Sequence, residues 1–309
     1  MNTFMTIQAY GSKSKEALAA IKNRIDVLES ILSTTKVGSD IHTLNNSDGN
    51  AVAVHDETAF LYNFTHGMYI ATDGALNPAL YPVISAWGFT TGDYRIPSEE
   101  EIASLLANTD FTKGELIQSG DVTKLRLEKN MKLDFGAVGK GYAADEAVGI
   151  LKEYGVKHAL LDLGGNVQAL GTKTDGSMWT VGIKSPWGGD AVCAVKIADK
   201  AVVTSGGYER FFEGEDGKKY IHIFDSKTGH PCESDLESVS IICKRGLYAD
   251  ALSTTLFVMG KEKALNWWAE NGEFDFILIT KEKELFYSAG IKDSIQILYP
   301  FDGAYVVNQ

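Results

Sequence analysis

Three oxygen-bearing side chains are spaced so that one face of a helix would present them together. Asp250, Ser253 and Thr254 stand at positions i, i+3 and i+4, which lie on one helical face. The sequence predicts that they occupy the first helical turn, where unpaired N–H groups and the helix dipole favour an anion. One carboxylate with two hydroxyls is a poor cage for Ca²⁺ but a suitable partial shell for Mg²⁺, which keeps waters and substrate phosphate oxygens. The alternative is that Asp250 caps the helix and the hydroxyls face solvent.

A second candidate element is the glycine-rich stretch Leu133-Asp-Phe-Gly-Ala-Val-Gly-Lys-Gly-Tyr142. Its small residues would let the backbone approach a ligand closely, and Lys140, predicted just before a helix start, could meet phosphate oxygens. The stretch is not a Walker A loop, because no Ser or Thr follows the lysine, and it is not a GxGxxG fingerprint. An ordinary strand-to-helix turn is the alternative.

His222 lies in an apolar stretch that precedes the turn Asp225-Ser-Lys-Thr-Gly229. Strand alternation predicts that His222 and Phe224 share one face while Ile221 and Ile223 share the other. A histidine at a strand end, beside a turn, could act as a general base near neutral pH. A half-buried histidine with satisfied hydrogen bonds is the alternative.

Two more glycine-containing segments follow predicted strands. They are Ser205-Gly206-Gly207 and Gly164-Gly165-Asn166. The backbone at either place could line a cleft, or each segment could be a tight turn.

Composition narrows the classes of function. The chain has 309 residues, 44% hydrophobic and 23% charged, which is typical of a soluble globular protein with one large domain or two lobes. The net charge of −12 argues against nucleic acid as a partner, because nucleic-acid binding needs a basic surface. The three cysteines lack CxxC spacing, so neither a disulfide framework nor a zinc site is expected. No apolar run reaches the roughly 18–20 residues of a membrane span.

Hydrophobic periodicity predicts the elements that must position these residues. A polar loop is predicted from Gly38 to Gly49, and Asp56 is predicted to cap the helix that follows it. Ser98 and Glu101 predict a capping box, and Trp87 is expected in the core rather than in a cleft wall. The core stripe of the helix after Asp56 is predicted to be Phe60, Phe64 and Met68. Helices are predicted at residues 14–33, 98–108, about 142–154, 248–260 and 261–271, and strands at 4–10, 115–117, 124–127, 158–163, 179–183, 192–197, 201–204, 220–225, 237–243, 274–280 and 285–288.

Predicted strands outnumber predicted helices and do not alternate strictly with them. This pattern favours an α+β fold over a doubly wound sheet. The last two strands are predicted to form a closing hairpin. The chain shows no internal repeat, low-complexity tract or linker, so one domain over residues 1–309 is predicted.

Taken together, these segments resemble the ApbE family, the FAD:protein FMN transferases, in the family's order over nearly the whole chain. The motifs that carry the resemblance are Met1-Asn-Thr-Phe-Met-Thr6, Ser39-Asp-Ile-His-Thr-Leu-Asn45, Asp134-Phe-Gly-Ala-Val-Gly-Lys-Gly-Tyr-Ala-Ala-Asp145, Leu163-Gly-Gly-Asn166, Thr204-Ser-Gly-Gly-Tyr-Glu-Arg210, His222-Ile-Phe-Asp-Ser-Lys-Thr-Gly229 and Ala249-Asp-Ala-Leu-Ser-Thr254.

The resemblance implies two lobes with mainly antiparallel sheets, flanking helices and a shared FAD cleft. It implies Mg²⁺-dependent transfer of FMN from FAD to a Thr or Ser hydroxyl of an acceptor protein, with release of AMP. His222 matches the catalytic histidine. The implied Mg²⁺ ligands are the Ala137 carbonyl, Asp250 and Thr254, with Ser253 as a further candidate. The expected FAD contacts are Met1, Thr35, Ala75, Leu76, Asn77, Asp134, Lys140, Ser205, Gly206 and Phe224.

The chain departs from the family pattern at three positions. Asn77 stands where the family often has Asp, so a contact there would lack the charge. Gly139 replaces a common Ala and Ser226 a common Pro, which alters backbone stiffness alone. Two other functions stay open: an Mg²⁺-dependent FAD pyrophosphatase and a non-catalytic FAD-binding module.

The resemblance also implies a cellular setting. Family members are often lipoproteins outside the cytoplasmic membrane, and their acceptors are flavin-carrying redox proteins. This sequence shows neither a leader nor a lipid-anchor cysteine. We therefore expect a membrane-tethered extracytoplasmic protein whose export signal is missing from this sequence, with a cytoplasmic location as the alternative.

Overall fold

A computed structural model describes residues 3–309 of the chain. The predicted contact at Met1 lies outside the described residues. The helices are α1 (Ser14–Leu32), α2 (Asp40–Asn45), α3 (Asp56–Ala71), α4 (Tyr81–Ala86), α5 (Glu99–Leu106), α6 (Gly139–Glu153) and α7 (Gly246–Asn271). The strands are β1 (Met5–Tyr10), β2 (Val52–Ala53), β3 (Glu115–Ser119), β4 (Val122–Arg126), β5 (His158–Leu163), β6 (Asn166–Leu170), β7 (Trp179–Lys184), β8 (Ala191–Ile197), β9 (Ala201–Gly206), β10 (Phe211–Glu213), β11 (Lys219–Ile221), β12 (Leu236–Cys243), β13 (Asp275–Thr280), β14 (Glu284–Ser288), β15 (Ile295–Ile297) and β16 (Gly303–Val307).

The predicted α+β class is confirmed. The largest sheet has the strand order β1-β5-β6-β9-β12-β13-β14-β16, and its pairs are antiparallel except for the parallel pair β14–β16. The predicted closing hairpin is formed by β13 and β14. The prediction that it ends the fold was wrong, because β15 and β16 follow it and pair with β8 and β14.

The described chain divides into two compact units. The first comprises Asp26–Ala137 and Arg210–Glu233, and it contains the small sheets β2-β4-β3 and β10-β11. The second comprises the described residues up to Ile25, Val138–Glu209 and Ser234–Gln309. It contains the large sheet and the three-stranded sheet β15-β8-β7. The single domain with a shared cleft stays a prediction.

In the second unit, successive side chains of the large sheet point to opposite faces. One face packs against the three-stranded sheet in a core that includes Val181, Val195, Val202, Ile242 and Ile277. The other face carries α6 and α7, which pack against each other. Helix α6 also packs against β5 and β6, and α7 packs against β9 and β12. Asp250, Ser253 and Thr254 of α7 contact Gly141 of α6 and Ser205 of β9 on this face.

The core of the first unit is built largely from aromatic side chains. Trp87 is fully buried, as expected, and its Nε1–H donates to the Gly229 carbonyl over 3.1 Å. Phe89 and Phe224 pack against it in the same cluster. The buried indole therefore has its single donor satisfied.

Two predictions about local structure in the first unit were wrong. The predicted polar loop contains α2, which Ser39 caps by accepting from the His42 N–H over 3.0 Å. On α3, the N-cap is His55 rather than Asp56, and Phe60 is 41% exposed. Side chains at strict four-residue steps drift around a helix of 3.6 residues per turn. The residues of α3 that are buried are Thr58, Leu61, Tyr62, Thr65 and Met68.

Ser98 caps α5 as predicted, accepting from the Glu101 N–H over 3.2 Å. The Glu101 carboxylate pairs with Arg95. One half of the predicted capping box is therefore present.

Across residues 3–309, the helices fall short of the combined length and apolar character that a membrane span requires.

Candidate functional site

Two glycines allow α6 and α7 to touch through their backbones. A Cβ added to Gly141 would lie 2.2 Å from the carbonyl oxygen of Gly246 and 2.7 Å from the Cα of Leu247. A Cβ added to Gly246 would lie 2.9 Å from the carbonyl oxygen of Gly141. Glycine is thus required at the crossing because no side chain fits there.

The start of α7 is bound by a carboxylate on α6. Asp145 Oδ1 accepts from the Gly246 N–H over 2.7 Å, and Oδ2 accepts from the Leu247 N–H over 3.3 Å. Gln168 Nε2 donates to Oδ1 over 3.2 Å. Asp145 therefore occupies the N-terminus of α7, with its unpaired N–H groups and positive dipole end, where Asp250 was predicted to lie.

The prediction that Asp250 lies in the first helical turn was wrong, because α7 begins at Gly246, four residues before Asp250. The predicted juxtaposition nevertheless holds. Ser205 Oγ lies 2.8 Å from Ser253 Oγ and 3.2 Å from Thr254 Oγ1. Ser253 donates its hydroxyl hydrogen to the Asp250 carbonyl over 3.0 Å. A hydroxyl has one hydrogen, so Ser205 donates to Ser253 and Thr254 donates to Ser205.

The Asp250 carboxylate is buried, with 3% of the residue exposed. Its Oδ2 accepts from the Gly141 N–H over 2.8 Å, and Lys140 Nζ lies 3.6 Å from Oδ1. Burial raises the pKa of the Asp250 carboxyl, and the nearby Lys140 and Gly141 N–H act in the opposite direction. Lys140 lies in the first turn of α6 rather than before it, so its charge sits at the helix end beside the acid.

These side chains form a set of oxygen donors. Among residues 3–309, no three or more His, Cys, Asp or Glu side chains gather as metal ligands. Mg²⁺ commonly binds through one or two carboxylates and completes its shell with waters and substrate phosphates. Burial of Asp250 is incompletely offset by Lys140, since the pKa of the carboxyl is still raised. The donor set therefore fits Mg²⁺, which would share the carboxylate with Lys140.

In the first unit, His222 directly follows β11. Its N–H donates to the Arg210 carbonyl over 3.1 Å, and its Nδ1 lies 3.0 Å from the same oxygen. A carbonyl can only accept, so Nδ1 carries the hydrogen and the lone pair of the neutral ring is on Nε2. The predicted alternation was wrong, because Ile223 and Phe224 are both buried. The strand ends before them.

Two predicted FAD contacts in the first unit have local structural roles. Asn77 Oδ1 accepts from the Ala79 N–H over 2.9 Å, and its Nδ2 donates to the Thr109 carbonyl over 3.0 Å. Asp134 Oδ1 accepts from the Gly136 N–H over 2.9 Å, and the Asp134 N–H donates to the Pro78 carbonyl over 3.0 Å. The structure thus brings the Asn77 and Asp134 segments together.

A cavity of about 370 Å³ lies beside Asn77. Its lining includes Tyr69, Leu106, Thr109, Ser226 and Lys227.

The remaining predicted positions are distributed as follows. Thr35 Oγ1 lies 3.3 Å from Ser33 Oγ, Leu76 is buried, and the Ala75 N–H donates to the Thr72 carbonyl. Gly206 ends β9. Ala137 is the last residue of its segment in the first unit, and its role as a carbonyl ligand stays a prediction.

Sequence reasoning missed three residues that surround α7 or face it. Asp145 binds its first turn, Gln168 donates to Asp145, and Asn166 is buried on the same sheet. Asp145 and Asn166 ended two of the motifs quoted above, which was the available signal. Their partners lie far away in sequence, so spacing gave no indication of the contacts.

Known proteins are similar to this chain in sequence and in fold. The family model described as ApbE family matches residues 1–278. The chain is 34% identical over 318 residues to an FAD:protein FMN transferase of Treponema pallidum, covering 96% of this chain and 87% of the relative. It is 31% identical to one of Escherichia coli strain K12, covering 93% and 84%.

Two crystal structures are similar over most of their length. The ApbE protein of Thermotoga maritima has 30% identity and a TM-score of 0.81, with 89% of each chain covered. The apo form of the flavinyl transferase ApbE of Pseudomonas stutzeri has 30% identity and a TM-score of 0.80, with 91% and 89% covered. This chain belongs to the ApbE family.

Proposed function

We propose that this chain is an FAD:protein FMN transferase that moves FMN from FAD to a Thr or Ser hydroxyl of an acceptor protein, releases AMP and requires Mg²⁺. Membership of the family supports FAD as the substrate and a protein as the acceptor. The observation that carries the finer proposal is the cluster of Asp250, Ser253, Thr254 and Ser205 beside Lys140. Oxygen donors and a cation are what a diphosphate and its counterion need.

The proposed reaction exchanges a phosphoanhydride bond of FAD for a phosphoester bond to the acceptor. The acceptor hydroxyl oxygen bonds to the phosphorus on the FMN side of the diphosphate. The bond from that phosphorus to the bridging oxygen breaks, and the bridging oxygen leaves with AMP. The hydroxyl proton passes to a base, so the products are FMN esterified to the acceptor, AMP and one proton.

His222 is the proposed base. The Arg210 carbonyl holds Nδ1 as the protonated nitrogen, so Nε2 is the nitrogen that would accept the hydroxyl proton. The same contact fixes the orientation of the ring, as the partner of a catalytic histidine commonly does.

Lys140 and the first turn of α6 would bind the diphosphate. The ammonium lies 3.6 Å from a buried carboxylate, so it is held near the site instead of moving freely in solvent. Asp250, Thr254 and Ser253, with the Ala137 carbonyl, are the residues proposed to hold Mg²⁺. When bound, the ion would neutralise phosphate charge and stabilise the charge that develops on the leaving oxygen. FAD contacts at Met1, Thr35, Ala75, Leu76, Asn77, Asp134, Ser205, Gly206 and Phe224 are part of the same proposal, as is a membrane-tethered extracytoplasmic location.

The proposal is tested by comparing how much two substitutions lower the rate of FMN transfer. General-base catalysis is typically worth about 10²–10⁴ in rate, so His222→Ala should slow FMN transfer by that factor. Charge stabilisation should supply the larger share, so Asp250→Ala should slow transfer at least as much. The assay is mass spectrometry of an acceptor protein after incubation with enzyme, FAD and Mg²⁺, which should show the added mass of one FMN.

Matched variants control for general damage. Glu270→Ala removes an exposed carboxylate from the part of α7 beyond its kink at Gly260, and His230→Ala removes the imidazole that contacts Trp87 and Glu99. Both should transfer FMN at close to the normal rate. A near-normal rate for Asp250→Ala would refute the metal-binding role.

The same incubation separates the alternative functions. Release of AMP that does not depend on the acceptor would indicate an FAD pyrophosphatase. Intact FAD after prolonged incubation with Mg²⁺ and an acceptor would indicate a binding module. Either result would replace the transferase proposal.

A further inference from the structure

Asn166 is a fully buried amide whose polar atoms are both unsatisfied. None of its surface is exposed, and neither Oδ1 nor Nδ2 has a hydrogen-bond partner. Buried polar side chains are nearly always paired, because burying an unpaired donor or acceptor loses the hydrogen bonds it made with water. An amide that leaves two donors and an acceptor unused therefore requires an explanation.

The amide faces α6 and α7. Two residues along β6, Gln168 lies on the same face and contacts Asp145 and Gly246, since alternate strand residues share a face. Val167, between them, packs into the core on the opposite face. Across the pair β6–β9, Asn166 is opposite Val203, and Ser205, two residues further, bonds to Ser253. Both strands therefore place Asn166 on the helix side of the sheet.

The position of Asn166 along the axis of α7 follows from two contacts between that helix and the sheet. Gly246 lies over Gln168, which is paired with Ala201, and Ser253 lies over Ser205. Helix and strand thus run in the same direction. Asp250 is four residues past Gly246, about 6 Å along the helix at 1.5 Å per residue. Val203 is two residues past Ala201, about 7 Å along the strand. Asn166 therefore lies at the level of Asp250.

We propose that Asn166 is a substrate-binding residue of the candidate site, whose amide donates to the diphosphate of FAD directly or through one buried water. This inference rests on the proposed function. Asp250 contacts Ser253 and Lys140, and Thr254 contacts Ser205. The Asn166 amide, in contrast, has no competing partner. Phosphate oxygens accept hydrogen bonds strongly from neutral donors.

The turn before Asn166 is open to a ligand. Gly165 has φ +86°, and a Cβ added there would meet no atom within 4 Å. Gly164, with φ +64°, would place a Cβ 2.1 Å from Thr3 Oγ1. The backbone is thus packed at Gly164 and has open space at Gly165, the residue before Asn166.

The test is Asn166→Leu, which replaces the amide by an apolar side chain of similar volume. Removing an unsatisfied buried polar group should leave the free energy of unfolding of the free protein unchanged or higher. Removing a donor to a charged group should raise the dissociation constant of FAD, measured with Mg²⁺ by flavin fluorescence, on the order of ten- to a hundredfold. A structural asparagine would instead lower stability, and that result, or an FAD affinity within twofold of wild type, would overturn the inference.

Two further variants extend the test of FAD affinity. Asn166→Asp keeps the shape and adds negative charge, so it should weaken FAD binding at least as much, and unchanged binding would contradict the proposal. Tyr62→Phe removes another buried, unpartnered polar atom that packs against Phe111. It should leave FAD affinity unchanged.

The failure of this inference can be distinguished from the failure of the proposed function. If the wild-type protein neither binds FAD nor transfers FMN, the proposed function is wrong. If the wild-type protein does both and Asn166→Leu binds FAD equally well, only the role of Asn166 is wrong.

Discussion

The contact between α6 and α7 predicts a large effect of a single methyl group. In Gly141→Ala, the new Cβ would lie 2.2 Å from the Gly246 carbonyl oxygen, whereas ordinary contact begins at 3.4 Å. Both colliding groups are backbone, so the helices must separate by about 1 Å or more. Overpacking of this kind costs about 1–3 kcal/mol.

Separation would also lengthen the bond from the Gly141 N–H to Asp250, now 2.8 Å. A hydrogen bond to a charged group is worth about 1.5–3 kcal/mol. Alanine returns up to about 1 kcal/mol through its higher helix propensity. The free energy of unfolding should therefore fall by about 1.5–5 kcal/mol, and FAD affinity should fall because Asp250 is displaced.

Urea denaturation followed by circular dichroism measures this change. Gly149 provides a matched control in the same helix, because it is exposed and an added Cβ meets no atom within 4 Å. Gly149→Ala should raise stability by about 0.5–1 kcal/mol. If Gly141→Ala proved as stable as Gly149→Ala, the inferred close contact between the helices would be wrong.

Two other predictions concern the start of α7 and the buried thiols. Asp145→Ala should lower the free energy of unfolding by about 1–2 kcal/mol in urea, because two N–H groups lose their acceptor, and Asp145→Asn should recover part of the loss; equal stability of all three proteins would contradict the capping role. Burial raises the pKa of Cys193 to about 12 and that of Cys243 to about 11. From pH 9 to 11 the unfolded chain loses thiol protons that the folded protein keeps, so stability should fall by about 1.4 kcal/mol per pH unit for each thiol. Replacing both cysteines by Ala should flatten this slope, and an unchanged slope would rule out the thiols as its source.

Much of the fold could be predicted from periodicity, because its strands and long helices bury regular faces. The helix after Asp56 shows the limit of this approach. Its aromatic residues suggested one stripe, but Thr58 and Thr65 are buried while Phe60 is exposed. Thr58 donates to Asp40 over 2.7 Å, a tertiary contact that no local pattern reveals. Asp40, the first residue of α2, also accepts from the His55 N–H over 2.7 Å. Helix α2 was missed because it depends on these tertiary contacts of Asp40.

The candidate site divides in the same way. Helical spacing placed Asp250, Ser253 and Thr254 together because that geometry is local. The helix start was misplaced because the sequence shows no cap before Gly246. The group that binds it, Asp145, lies 101 residues earlier. Formation of such a contact depends on the strands β5 to β12, which lie between the two helices in sequence.

The motif from Lys140 to Asp145 has a structural meaning that connects these results. Gly141 and Asp145 are four residues apart and lie on one face of α6, and Lys140 directly precedes Gly141. Each of the three makes a different contact with α7. Lys140 supplies charge to Asp250, Gly141 supplies an N–H to it at backbone contact, and Asp145 binds the helix start. A change in any one of these contacts would alter the position of the Asp250 carboxylate or the charges around it. The motif therefore fixes both the position and the electrostatic environment of Asp250, and its glycine is as necessary for that purpose as its charged residues.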